Sequence, residues 1–252
     1  PKFASVQSIP KSARLVVAST QWNLESLHTA LKKRTGSSSD PFSTLGIDMK
    51  ATLLPQLDGE LFYYFNGFPS VDPQEAFAEQ VLGFGIKQSA KPSQVEDVLK
   101  KLIIATVEGS FSRTEAKALD NAALGCVGLG KGENGAYDRC YAIHDRLIYL
   151  GYRSAVTEAL RAKLGKSPDI TDRKDWPIPV KNASGQTIAF VDMAQLSKDI
   201  LEWTRMDSGP YIQQGDIKHT LVPFLEALSQ LKGFQLKADA KQSQLSGHLY
   251  RM

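Results

Sequence analysis

The segment Gly125-Cys-Val-Gly-Leu-Gly-Lys-Gly132 has the G-x-x-x-x-G-K spacing with which a glycine-rich loop cradles phosphate oxygens. That chemistry needs Ser or Thr after the lysine to hold magnesium, and the position is Gly132. It also needs a helix at once, so that free backbone N–H groups face the phosphates. Asn134-Gly135 and a strand-like run follow instead, and the segment reads as a glycine-rich hairpin. His28, His144, His219 and His248 are not spaced as metal ligands, and no cysteine or acidic cluster completes a set around any of them. No serine sits in a G-x-S-x-G context, and Cys126 and Cys140 lie in strand-like runs rather than at helix starts. The residues therefore predict no catalytic centre, no cofactor and no metal.

Cys126 and Cys140 are the only cysteines. A three-residue loop centred on Glu133 would set them opposite each other across a hairpin, whereas a two-residue Asn134-Gly135 turn would put them out of register. A disulfide, in an oxidising compartment, and a pair of small buried thiols both fit.

A stronger pattern is a repeat. Asp48-Met-Lys-Ala-Thr-Leu-Leu-Pro-Gln-Leu57 returns as Asp216-Ile-Lys-His-Thr-Leu-Val-Pro-Phe-Leu225, both reading D-x-K-x-T-L-x-P-x-L. Leu15 stands as far before Leu61 as Ile188 before Phe234. A functional reading makes Lys50 and Lys218 contacts to an anionic ligand. The preferred reading is structural: Asp48, Thr52, Asp216 and Thr220 satisfy free backbone donors at helix entries, and the leucines enter the core. Pro55 and Pro223 are unsuited to a helix interior. Either Thr52 caps a helix with Pro55 in its first turn, or a short helix from Ile47 ends near Leu54.

These motifs lie in a recognisable order of elements. Leu15–Thr20 is strand-like, and Leu24, Leu27 and Leu31 follow at helical spacing. Leu61–Phe65 and Val81–Lys87 are strand-like, and Val95, Leu99, Leu102 and Ile103 predict a helix over Pro92–Thr106. Residues 109–120 read as a polar connection. Leu124–Leu129, Tyr137–Ile143 and Leu147–Tyr152 predict an antiparallel meander, with Ser154 capping the next helix. Residues 166–185 read as a surface loop. Thr187–Val191, a helix carrying Leu196, Ile200 and Trp203, a helix carrying Leu221, Phe224, Leu225, Leu228 and Leu231 and ended by Gly233, and a terminal hairpin complete the chain. The expected fold is α+β: antiparallel sheets from a duplicated strand-helix-helix-strand unit with a central β-meander, helices packed on the sheets. Residues 1–109 form the first repeat unit with its C-terminal helix, and 110–252 the meander plus the second unit, in two parts or one continuous domain.

Thirty basic and 27 acidic residues nearly cancel, and no basic stripe is present to track a phosphate backbone, so nucleic acid is not an expected partner. No apolar run approaches the roughly 20 residues that span a bilayer. The chain starts at Pro1, which suggests a mature or truncated product. Consecutive aromatics Phe62, Tyr63, Tyr64 and Phe65 must point to both sides of their strand. Phe62 and Tyr64, with Phe224 and Leu228, are candidates for an apolar ligand or partner surface.

The chain resembles an exported, usually membrane-anchored family of bacterial, largely cyanobacterial, proteins known only as a domain of unknown function. The resemblance is carried by Gly46-Ile-Asp48, Leu53-Leu-Pro55 and Leu57-Asp-Gly-Glu60, by Tyr141–Gly151 followed by Ser154–Leu160, and by Ile188–Leu196. It implies export, an N-terminal membrane anchor and no established catalytic residues. The leading expectation is a non-catalytic extracytoplasmic binding or assembly module, in the periplasm or thylakoid lumen, with a protein partner at a membrane. One alternative is a carrier holding a lipid or pigment between sheet and helices; another is a hydrolase with a site assembled between two lobes.

Overall fold

Strands dominate because β-branched and aromatic residues recur at alternating positions, and every pairing of those strands is antiparallel. A computed structural model describes residues 3–23, 25, 26, 29, 46–67, 78–106, 110–116, 119, 122–128, 135, 137–176, 186–205, 223, 227, 231–239 and 244–251, with the backbone alone described at 106, 114–116, 186, 203–205, 231–239 and 244–251. The strands are β1 (Leu15–Ser19), β2 (Leu57–Phe65), β3 (Gln80–Ile86), β4 (Ser110–Ala116), β5 (Ala122–Gly128), β6 (Arg139–His144), β7 (Leu147–Tyr152), β8 (Gln186–Val191), β9 (Leu231–Asp239) and β10 (Gln244–Arg251). They form one ten-stranded sheet in the order β10-β9-β8-β1-β2-β3-β7-β6-β5-β4. Strands from both sides of residue 110 belong to this sheet.

Alternation along the strands gives the sheet two faces. On the first, Val16, Ala18, Phe62, Tyr64, Val81, Tyr149, Ile188 and Phe190 join one core. It is covered by helix α3 (Arg153–Lys163), through Ala155, Val156, Ala159 and Leu160, and by the N-terminal residues Phe3, Val6, Ile9 and Ala13. On the second face, Leu57, Ile86, Val127, Tyr141 and Ile148 join another core with Val95, Val98, Leu99 and Ile103 of helix α2 (Pro92–Thr106). Helices α1 (Met49–Thr52) and α4 (Met193–Arg205) are also described, α4 lying against β9. Helix layers on both faces of an antiparallel sheet make this an α+β fold.

Several expectations change. Leu231 and Gly233, read as the end of a helix, lie in strand β9 and pair with β10. Residues 110–116, read as a polar connection, form the edge strand β4, paired along its length with β5. Helix α3 begins at Arg153 behind Tyr152, and the Ser154 hydroxyl makes no hydrogen bond, so it is no cap. The loop after α3 is anchored: Ile170 is fully buried, and residues 170–172 form a 3-10 turn capped by Asp169.

Read outward from the β1–β8 pair, the strand order is the same in both directions, β1-β2-β3 one way and β8-β9-β10 the other. The correspondence differs from the sequence pattern by one residue. Val16, rather than Leu15, shares the face of Ile188, because both side chains enter the first core. The likeness is one of strand order. Of the second ten-residue motif only Pro223 and, just beyond it, Ala227 are described, both exposed.

Candidate functional site

In the first motif, the Asp48 carboxylate accepts the Ala51 N–H at 3.0 Å and caps α1. Thr52 donates its hydroxyl to the Asp48 carbonyl. The helix stops there, and Pro55 sits in the first turn of a following 3-10 turn, Leu54–Gln56, where its missing donor costs nothing. Leu53 and Leu57 enter the second core, and Lys50 is exposed. Asp48 is thus the helix cap, in the place where Thr52 was one of two options. Asp216, Lys218 and Thr220 lie outside the described residues.

The chain then enters β2 through Asp58-Gly-Glu60. Gly59 takes a positive φ of 94°, and the β2–β3 register shifts between Leu57 and Leu61, which marks a bulge. The Glu60 N–H donates to Asp58 Oδ1 at 2.9 Å. Glu60, 4% exposed, lies on the same face as Phe62 and Tyr64. Its Oε1 accepts the Ser5 N–H at 2.8 Å. Burial raises the Glu60 pKa, opposed by hydrogen bonding from Ser5 and the Lys163 charge and reinforced by Asp58. Lys163, at the end of α3, donates to the Ala4 carbonyl at 3.1 Å and pairs with Asp145 at 2.9 Å. One peptide group, Ala4–Ser5, is therefore held at its oxygen by an ammonium and at its N–H by a carboxylate. Ser8 Oγ and the buried Tyr149 hydroxyl are hydrogen-bonded at 2.9 Å. The groups at this locus bind the protein's own N-terminal segment. In sequence, Glu60 is legible only as an acidic residue alternating with Phe62 and Tyr64 on what proves to be the buried side.

The turn after β6 aims Asp145 at Lys163. Asp145 and Arg146 both have positive φ, 46° and 63°, which is how a two-residue turn joins twisted strands. Arg146 donates through Nε and Nη2 to the Ile86 carbonyl, at 3.1 and 2.8 Å. His144 closes β6 beside this turn.

A second polar locus binds the residues before β1. Arg173 forms two hydrogen bonds with Asp175, at 2.9 and 2.8 Å, and a third with Asp192 at 2.7 Å. It also donates to the Ala13 carbonyl and lies over the Phe190 ring, 4.8 Å from its centroid. Arg14 pairs with Asp199 of α4. Sequence reasoning missed this cluster because its members are scattered through a loop-like stretch with no fixed spacing.

Phe62 and Tyr64 have close partners. The Phe62 ring meets Tyr149 edge-on at 5.7 Å and covers Gly83. Tyr64 donates its hydroxyl to the Ala155 carbonyl at 2.7 Å. Both are fully buried; Phe224 and Leu228 lie outside the described residues. Cys126 and Cys140 face each other in the β5–β6 ladder and form a disulfide. Among the described residues no group of three or more His, Cys, Asp or Glu is placed to hold a metal ion.

The second face differs at mid-sheet. Its central rung runs Ala189–Val17–Tyr63–Leu82–Leu150 across β8, β1, β2, β3 and β7. The rung directly behind it, Ile188–Ala18–Phe62–Gly83–Tyr149, is buried throughout. On the second face Ala189, Val17, Tyr63 and Leu150 are only half-buried, and Leu82 is 37% exposed. These five side chains form one row of largely apolar groups that is partly open to water, although Leu150 also packs against the second core.

No family model matches the chain, and no curated protein matches it. Among solved structures, it is similar to one described as crystal form I of TP0453, at 10% identity and a TM-score of 0.40, covering 96% of this chain and 76% of that one.

Proposed function

We propose that this chain is a non-catalytic extracytoplasmic binding or assembly module that docks a protein partner at a membrane. The observation that carries the reading is the apolar rung Ala189–Val17–Tyr63–Leu82–Leu150, whose counterpart on the opposite face is fully packed. A flat antiparallel face that keeps apolar side chains half-exposed gains by covering them. The Cys126–Cys140 disulfide supports an oxidising compartment. Ionisable groups that are buried here, Glu60 and Lys163, spend their hydrogen bonds on the chain's own backbone, which supports a scaffold rather than a reaction centre.

The test is a photo-cross-linking residue at Leu82, expressed in membranes of the source cell. A discrete polypeptide adduct of fixed mass, lost when Val17→Glu is added, is the expected result. A lipid or pigment adduct would transfer the assignment to a carrier, and no adduct at all would remove the docking surface.

A further inference from the structure

Residues 3–9 sit in the protein as a ligand sits in a groove. Their anchors recur at every third position: Phe3, Val6 and Ile9 are 3%, 1% and 0% exposed. The groove is built by later elements, β2 and β7 as its floor, α3 as one wall and residues 168–170 as the other. Recognition of the main chain is explicit. Lys163 and Glu60 hold the Ala4–Ser5 peptide group, Tyr149 meets Ser8, and the Ile170 N–H donates to the Ile9 carbonyl at 2.8 Å. The Lys11 N–H donates to the Pro168 carbonyl at 3.0 Å, and Pro10 bridges Asp169 as an isolated strand pair.

Between this segment and β1 stands a single turn. The Ala13 N–H donates to the Pro10 carbonyl at 3.0 Å, and the two residues inside the turn, Lys11 and Ser12, are exposed. The groove contacts are long-range, so opening that turn would let the segment leave with its binding surface intact. We propose that the groove is an exchangeable docking site, filled in cis here and open to the same segment, residues 3–9, of a second copy. Exchange re-forms every contact across the groove, and only the turn and the protein concentration bias its direction. The groove lies on the face opposite the Leu82 rung, so the inference stands apart from the assembly reading.

The experiment straightens the hinge. Ser12→Pro forces Lys11 into extended backbone and opens the Pro10–Ala13 turn, while leaving the Lys11 N–H free to meet the Pro168 carbonyl. Light scattering after size exclusion is expected to show a folded dimer in place of a monomer, unchanged when Leu82→Glu is added. A folded monomer would overturn the proposal, as would a dimer that Leu82→Glu dissolves. Should the Ser12→Pro chain not fold, a fluorescent peptide of residues 3–13 is added to the intact protein while amide exchange is followed at Ser8 and Ile9. Saturable binding, weakened about tenfold or more by Lys163→Met, supports exchange. Amides that open without peptide uptake, or that exchange only with global unfolding, would refute it.

Discussion

The carboxylate of Asp192 is shared between Arg173, 2.7 Å from its Oδ2, and the backbone N–H of Gln195, 3.0 Å from its Oδ1. One side chain therefore starts α4 and ties it to the loop that follows α3. The Asp192 N–H also donates to the Arg14 carbonyl. Asp192→Ala should cost about 2–4 kcal/mol, from a lost helix cap and a broken, mostly buried ion pair. Asp192→Asn keeps an acceptor for Gln195 and should cost less than half as much. Urea unfolding of the two variants measures the difference.

Glu60 and Asp145 should bend the pH dependence of stability in opposite directions. The folded chain holds the Glu60 proton above 4.5, the value taken for the unfolded state, so ionising this carboxyl costs stability as pH rises through the folded value, and costs none below 4.5. Asp145 is lowered below 3.8, chiefly by its hydrogen bond with Lys163, so its contribution is present above 3.8 and fades as pH falls through the folded value. Glu60→Gln, which still offers Ser5 an acceptor, should be neutral or stabilising by about 1 kcal/mol at pH 7 and should flatten the slope above 4.5. Melting curves across pH 3 to 8 would show it; an unaltered slope would sink the assignment.

Reducing the disulfide should loosen the β5–β6 hairpin. Cys126 and Cys140 close a short loop, with a sequence separation of 14, and a crosslink of that span contributes about 2–4 kcal/mol. Both residues are buried, so reduction of the native protein should be slow until denaturant is added. Calorimetry with and without reductant, and of the double Cys→Ala variant, checks the expected fall in Tm.

Gly83→Ala distinguishes a packed Phe62 from one bordering open space. A Cβ at Gly83 would lie 2.0 Å from Phe62 Cε1 and 2.8 Å from the Ile148 carbonyl oxygen. With the ring fixed against Tyr149, the substitution should destabilise by about 1–3 kcal/mol through overpacking. A neutral result would mean that Phe62 has room to swing, which a ligand-carrying interior would provide.

The strands were legible in the sequence wherever one face is buried, because alternation of apolar and polar residues then has a fixed phase. β4 was not. Its only large apolar residue is Phe111, and as an edge strand it tolerates an exposed Arg113. For the cysteines the sequence left two registers, and the ladder selects the one with Cys126 opposite Cys140. Equal spacing to Leu61 and Phe234 made Leu15 the counterpart of Ile188, yet the two face opposite sides. A half-exposed face leaves too little contrast to reveal the phase. The groove-filling segment carries a readable signal, Phe3, Val6 and Ile9 spaced by three, but its partners Glu60, Tyr149 and Lys163 are distant in sequence. Only folding brings them together.

The central β1–β8 pair has a consequence for biosynthesis. β1 is synthesised well before β8, the strand that covers its edge, Leu15 against Val191. Until then the nascent chain presents an unpaired strand beside the aromatic β2, the kind of edge on which misassembly starts. Closure of so distant a pairing is also slow, since the intervening chain must be ordered first. A holding factor that shields β1 until β8 is made should therefore raise the yield of folded protein.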